Sequence, residues 1–293
     1  MTTIAFLGTG TMGMPMARNL AEAGFALRAW NRSPEHARPL TDVGADVLED
    51  PQEAVAGAEL MITMLSDADV VLGTAEQAVP EADQDLLWLQ MSTIGIEGTE
   101  RCAALAERDG ISLVDAPVLG TREPAEQAKL VILGSGPSDA RERCQPVFDA
   151  LGQRTLWLGE TGAGTRGKVA TNSWVLGVVG VLAETIALFE ALDVDPERFF
   201  EAIEGGPLDL PYARLKGAAM IKHSFDDPAF KLALARKDSE LILEAACRHG
   251  LEVPILEAVT ERLRRAEADG HGDEDMAATY WAGAPEFVRT ASG

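Results

Sequence analysis

Up to about residue 160 the chain alternates short apolar runs with amphipathic stretches. The runs at 3–7, 26–30, 60–64, 87–91, 113–115, 129–133 and 155–157 have strand length and are dominated by aliphatic and aromatic residues. Between them, apolar positions recur at helical spacing over 12–23, 34–43, 68–78, 96–108 and 138–151. Strands that alternate with helices of this length predict a mainly parallel, doubly wound sheet with helices on both faces.

The pattern changes after Gly159-Glu-Thr-Gly-Ala-Gly164, where strand signals stop. Long helical periodicities follow at 165–192, 196–204, 229–249 and 254–269. The first is apolar nearly all round, as expected of a helix packed on several sides. The glycine-rich hinge divides an N-terminal domain, residues 1–163, from an all-helical C-terminal domain, residues 164–293. No internal repeat or low-complexity tract interrupts either part, and the acidic stretch 269–275 reads as a solvated loop.

One turn carries chemistry. Gly8-Thr9-Gly10-Thr11-Met12-Gly13 follows the first strand directly and opens the first helix. In that context the three glycines form the dinucleotide fingerprint of a Rossmann domain. Gly8 permits the tight turn, Gly10 lets a pyrophosphate approach the backbone, and Gly13 lets the helix pack on the strand. The helix N-terminus adds N–H donors and a favourable dipole. At the end of the second strand an acidic residue would favour NAD by binding the ribose 2′-hydroxyl. Here the strand ends Trp30-Asn31-Arg32-Ser33. A guanidinium at Arg32, with neutral donors at Asn31 and Ser33, suits a 2′-phosphate, so NADP is the expected cofactor and NAD the alternative.

Composition narrows the partners. The 293 residues carry 47 acidic and 25 basic side chains, a formal net charge of −22, which repels a nucleic-acid backbone. The three cysteines, Cys102, Cys144 and Cys247, form no CxxC pair, and the four histidines have no metal-ligand spacing, so no metal site is expected. Residues 1–7 lack the charged and apolar regions of a signal peptide. The most membrane-like stretch, 174–183, is about half of the roughly 20 residues a span requires. The expected compartment is the cytoplasm, with neither membrane nor nucleic acid as a partner. The long apolar helix exceeds what one small helical domain could cover, which predicts a homodimer or a dimer-based oligomer.

The chain has only six lysines, and two sit in apolar company. Lys168 shares a helical face with Asn172, Val175 and Val179. Lys237 interrupts an apolar stripe of Phe230, Leu234, Leu241 and Ala245. A cation and an amide on a face that continues as valine suit a cleft between domains better than a solvated surface.

Four stretches together resemble the β-hydroxyacid dehydrogenase family, which includes 3-hydroxyisobutyrate dehydrogenases and glyoxylate or succinic semialdehyde reductases. They are Phe6-Leu-Gly-Thr-Gly-Thr-Met-Gly-Met-Pro-Met-Ala-Arg-Asn-Leu20, Asp115-Ala-Pro-Val118 with Gly120, Gly167-Lys-Val-Ala-Thr-Asn172, and Lys237-Asp238. The resemblance implies hydride transfer between a nicotinamide and a small 3-hydroxy acid, or the corresponding aldehyde or keto acid. It also implies a C-terminal domain like that of 6-phosphogluconate dehydrogenase. By the same resemblance Lys168 is the general acid/base and Asn172 orients the substrate. Lys237 lies by the nicotinamide, and Met64, Leu65 and Thr93 contact the cofactor. Where many relatives have Ser-Gly-Gly, this chain has Leu119-Gly120-Thr121, which would line the substrate's carboxylate. Arg122-Glu-Pro-Ala-Glu126 is closer to the glyoxylate and succinic semialdehyde reductase branch. Two other readings are an imine reductase-like enzyme, against which Lys168 argues, and a catalytically weak cofactor-binding protein.

Overall fold

A computed structural model describes residues 2–83 and 85–285. Six strands, β1 (Thr3–Leu7), β2 (Ala26–Trp30), β3 (Asp46–Leu48), β4 (Leu60–Thr63), β5 (Leu87–Gln90) and β6 (Ser112–Asp115), form one parallel sheet in the order β3-β2-β1-β4-β5-β6. Side chains alternate across it. Ile4 and Phe6 of β1 join one core with α1 (Gly13–Glu22) and α6 (Ala140–Leu151). Ala5 and Leu7 join the other with α2 (Pro51–Val55), α3 (Ala68–Ala78) and α4 (Gly95–Asp109). Burial on both faces explains why β4 and β5 open with unbroken apolar triplets, residues 60–62 and 87–89, without alternation. Leu7 lies opposite both Trp30 and Thr63, so β1, β2 and β4 end together, at the point where the strand order reverses. Ligands of doubly wound sheets bind at that edge.

The runs predicted at 129–133 and 155–157 do not extend this sheet. They are β8 (Leu130–Gly134) and β9 (Gly152–Trp157), which pair in parallel in a second, three-stranded sheet. Its third strand, β7 (Val118–Leu119), runs antiparallel to β8 and leads into the short helix α5 (Arg122–Glu126). A single bridge between Asp115 and Ser135 links β6 to the end of β8. The helix expected at 34–43 is instead two 3₁₀ turns, Pro34–His36 and Arg38–Val43. Pro39 removes a donor and disfavours α geometry at the residue before it, so the helix cannot run through.

The chain divides into two compact units, Met1–Lys168 and Val169–Gly293, and α7 (Ala163–Ala191) begins in the first and ends in the second. The second unit contains α8 (Glu197–Ile203), α9 (Pro211–Ile221), α10 (Leu232–Arg248) and α11 (Pro254–Ala266), then a 3₁₀ segment, Met276–Gly283. Its core gathers Leu176, Val179, Leu182, Ala183 and Ile186 of α7 with Met220, Ile242, Leu263 and Tyr280. The opposite side of α7 is apolar but uncovered: Trp174, Val181 and Leu188, seven residues apart, are 67%, 57% and 57% exposed.

Helix α9 escapes sequence detection because its buried face is Ala213, Lys216, Gly217 and Met220. The Lys216 ammonium is buried against Asp275 at 2.7 and 2.8 Å. Asp275 also accepts the N–H groups of Ala229 (3.0 Å), Phe230 (3.3 Å) and Ala277 (2.9 Å). One carboxylate thus ties α9, the entry to α10 and the 3₁₀ segment together.

Candidate active site

The glycine-rich turn has the predicted geometry. Gly8 adopts φ +106°, and a Cβ there would overlap the Met64 carbonyl and fall 2.7 Å from Leu65 Cδ2. A Cβ at Gly13 would overlap the Gly8 carbonyl oxygen. Gly10 is the contrast: it is exposed, and nothing lies within 4 Å of where its Cβ would stand. Gly8 and Gly13 are required by the protein's own packing, whereas the space at Gly10 is left for something else. The first helical bond of α1 runs from Met14 N–H to Gly10 O, so the amides of residues 10–13 precede the intrahelical ladder. Thr9 is buried, and its hydroxyl has no hydrogen-bond partner among the described residues. An open backbone approach, helix-start donors and an orphaned hydroxyl fit a pyrophosphate.

Asn31 takes a part that composition did not suggest. Its side-chain oxygen accepts the Thr9 N–H (3.0 Å) and its amide nitrogen donates to Ser33 O (3.0 Å), so it braces the turn against the end of β2. Arg32 beside it is exposed and makes no ion pair with any described residue. Ser33 starts the first 3₁₀ turn.

Met64, Leu65 and Thr93 lie on the loops that leave β4 and β5, and these loops rest on a buried polar network. Trp88 Nε1 donates to Thr63 Oγ1 (2.9 Å), the Ser92 N–H to Gln90 Oε1 (2.7 Å), and Gln90 Nε2 to Ser92 O (2.8 Å). The Ser92 hydroxyl donates to Thr63 O (3.1 Å) and accepts the Leu65 N–H (2.9 Å). Sequence reasoning missed this network, because its members are ordinary strand residues until the register sets them side by side.

Lys168 lies in the first turns of α7, half-buried, and its ammonium donates to the Val118 carbonyl at 2.7 Å. It therefore stands beside β7, which continues into Leu119-Gly120-Thr121. Gly120 has φ +130°, and a Cβ there would meet Leu130 Cδ2 at 2.7 Å, so only glycine fits. Leu119 and Thr121 are half-buried, and Thr121 is the extended residue just before α5. Asp115, first residue of the Asp-Ala-Pro-Val stretch, is wholly buried beneath the start of α7 and bound by Thr165 and Ser135. Burial pushes its carboxyl above the usual range, against the pull of those hydrogen bonds.

Within the second unit Asn172 is buried, and its amide donates to Asp238 Oδ2 at 2.8 Å. The other oxygen of Asp238 pairs with Lys237 at 3.2 Å. One carboxylate thus joins two predicted site residues. The stripe through Lys237 is a half-buried flank of α10, not its most buried face, which is Leu232, Ala235, Ser239, Ile242 and Ala246. Small residues on that face allow close packing yet carry little hydrophobic signal.

Comparison with known proteins agrees with this geometry. Residues 3–159 match the model of the NAD-binding domain of 6-phosphogluconate dehydrogenase, and residues 162–282 match that of the NAD-binding region of NADP-dependent 3-hydroxyisobutyrate dehydrogenase. The chain belongs to the β-hydroxyacid dehydrogenase family. The chloroplastic glyoxylate/succinic semialdehyde reductase 2 of Arabidopsis thaliana is 31% identical over 94% of this chain and 78% of the relative. A probable 3-hydroxyisobutyrate dehydrogenase of Mycobacterium bovis is 32% identical over 95% of this chain and 96% of its own. The structure of the Mycobacterium tuberculosis 3-hydroxyisobutyrate dehydrogenase with L-serine superposes with a TM-score of 0.86 at 30% identity, covering 96% of this chain and 98% of that one. As a member of this family the chain is a nicotinamide-dependent oxidoreductase acting on CH–OH groups.

Proposed function

We propose that the chain is a cytoplasmic, NADPH-dependent reductase of a small aldehyde or keto acid, working as the hydroxy acid dehydrogenase in reverse, with Lys168 as its acid/base. The observation that carries the reading is the Lys168 ammonium held at 2.7 Å by the Val118 carbonyl, beside the glycine turn at Gly120. A lysine is protonated at neutral pH, and a carbonyl acceptor favours that form, so it is ready to donate to a substrate oxygen. The bound nicotinamide supplies or takes the hydride. Asn172, one helical turn along α7, orients the substrate, while Asp238 holds its amide in place. The backbone at Gly120 and the Thr121 hydroxyl serve the substrate carboxylate, and Leu119 closes that side with apolar surface. The relatives named above are reductases or dehydrogenases of small carboxylates, and L-serine itself presents a hydroxymethyl group near a carboxylate.

The cofactor is held by residues 8–13 and by Met64, Leu65 and Thr93. The preference for NADPH rests on Arg32, which is exposed, without an acidic neighbour at residues 31–33, and available to a 2′-phosphate. Charge-assisted hydrogen bonds of this kind contribute about 1.5–3 kcal/mol, which is roughly ten- to a hundredfold in affinity. Titrating NADPH and NADH by fluorescence against wild type and Arg32→Ala checks this. The expected result is a wild-type preference for NADPH that the mutant loses; equal affinities in wild type would refute it. Turnover with each cofactor on a panel of glyoxylate, succinic semialdehyde, uncharged ketones and imines tests the reaction. Activity confined to the uncharged compounds would refute the acid assignment.

The exposed stripe of Trp174, Val181 and Leu188 supports a homodimer, since contiguous uncovered apolar surface on a helix marks an interface. Sedimentation at micromolar concentration is expected to give twice the chain mass, and Trp174→Glu to shift it toward the monomer. A wild-type protein that sediments only as monomer would end this assignment.

A further inference from the structure

The Asp115 carboxylate, at the end of β6, is committed to the start of α7. Oδ2 accepts the Thr165 N–H at 2.7 Å and the Ser135 hydroxyl at 3.0 Å, and Oδ1 accepts the Thr165 hydroxyl at 2.7 Å. The Ser135 hydroxyl accepts the Gly164 N–H at 2.8 Å, and the Asp115 and Ser135 backbones exchange hydrogen bonds at 2.8 and 2.9 Å. The Thr165 hydroxyl also lies 2.9 Å from that of Thr99 on α4. A Cβ at Gly164 would come within 2.9 Å of the Asp115 carbonyl and 3.1 Å of its Oδ2, so helix and strand end are in direct contact. Three residues further along both segments comes the tie from Lys168 to Val118 O, at 2.7 Å. Residue 115 is tied to 165, and 118 to 168. The segment leaving β6 and the first turns of α7 are held in one register at two points.

We propose that Asp115 is the positioning residue for Lys168. By holding both donors of Thr165, it fixes the first turn of α7 and with it the place where the Lys168 amine meets the Val118 carbonyl and a substrate oxygen. This rests on the acid/base role of Lys168 proposed above. A carboxylate suits the position because three donors converge on it. An asparagine has a single acceptor oxygen, so its amide nitrogen would stand either against the Thr165 hydroxyl, which would have to turn its proton away, or against the Thr165 N–H and the Ser135 hydroxyl. A residue that merely caps a helix would change stability alone. A residue that aims the proton donor also changes the chemical step and its pH dependence.

The test compares Asp115→Asn, Thr165→Val, Thr165→Ser and Lys168→Met for folded content, cofactor binding and the pH profile of the reductive kcat. Asp115→Asn is expected to lower kcat about 10- to 100-fold, the range a displacement of about 1 Å costs, with cofactor affinity unchanged. Its high-pH limb is expected to move to lower pH, because a weakened contact with the Val118 carbonyl disfavours the ammonium. Thr165→Val is expected to change kcat and the limb in the same directions by a smaller factor, and Thr165→Ser to retain wild-type behaviour. Wild-type kcat and pH profile in a folded Asp115→Asn would overturn the proposal, whatever its stability. If that variant does not fold, the threonine pair decides, and equal behaviour of Thr165→Val and Thr165→Ser overturns it. Turnover retained by Lys168→Met would instead remove the acid/base reading, and this proposal with it. Loss in Lys168→Met with no effect at Asp115 or Thr165 would remove this proposal alone.

Discussion

Replacing Lys168 with methionine is expected to lower kcat by about 10²–10⁴ while leaving cofactor affinity nearly unchanged. Methionine keeps most of the stem's length and apolar character, so the half-buried slot stays filled. What disappears is the donor at 2.7 Å from the Val118 carbonyl, and with it the proton for a developing alkoxide. Steady-state rates with saturating NADPH, alongside a fluorescence titration of the same variant, separate the two quantities. The Val118 carbonyl also loses its partner, so a stability loss of about 0.5–1.5 kcal/mol accompanies the change. Turnover close to wild type on a good substrate would remove Lys168 from the mechanism.

Asp275→Ala is expected to cost the second unit about 3–5 kcal/mol or more, the range found when one member of a buried ion pair is deleted. The alanine strands the Lys216 ammonium, which is 3% exposed, together with the N–H groups of Ala229, Phe230 and Ala277. Lys216→Met is expected to cost less. It leaves Asp275 with those three backbone donors and places an apolar side chain of similar length in an apolar slot. Urea unfolding of both variants, followed by far-UV circular dichroism, gives the comparison. An equal loss in the two would mean that the ion pair, not the carboxylate's backbone contacts, holds the segment together.

What was legible in the sequence was local. The turn at residues 8–13 declares itself because strand, glycines and helix are contiguous: Gly13 answers to Gly8 five residues before it, and Gly8 to the loop that leaves β4. The parallel sheet was legible for the same reason, since burial on both faces leaves unbroken apolar runs. Asn31 was not. It reads as a donor at the end of a strand, and only the fold shows its amide bracing Thr9. Asp115 stands in a recognised stretch, but its task was hidden because its partner Thr165 lies 50 residues away, and Ser135 was hidden outright, with Gly164 29 residues on. Helix α9 was missed because a lysine occupies its buried face, and the carboxylate that makes this tolerable is 59 residues on. Asp115 and Asp238 fall inside recognisable stretches, but nothing in those stretches tells which residue each one holds.

The division after Lys168 falls within α7, so compactness and severability part company in this chain. Domains that recombine as modules usually meet at exposed linkers, where few contacts cross. Here a gene fragment cut at the compact boundary would end on Lys168, as the last residue of a helix stub too short to persist unaided. The other fragment would open with Val169 and lose the anchored start from which its longest helix propagates. Exchange of halves between relatives therefore has its natural crossover upstream, in the loop between β9 and α7 at residues 158–162, so that the lysine is inherited with the helical half and the carboxylate that seats it with the other.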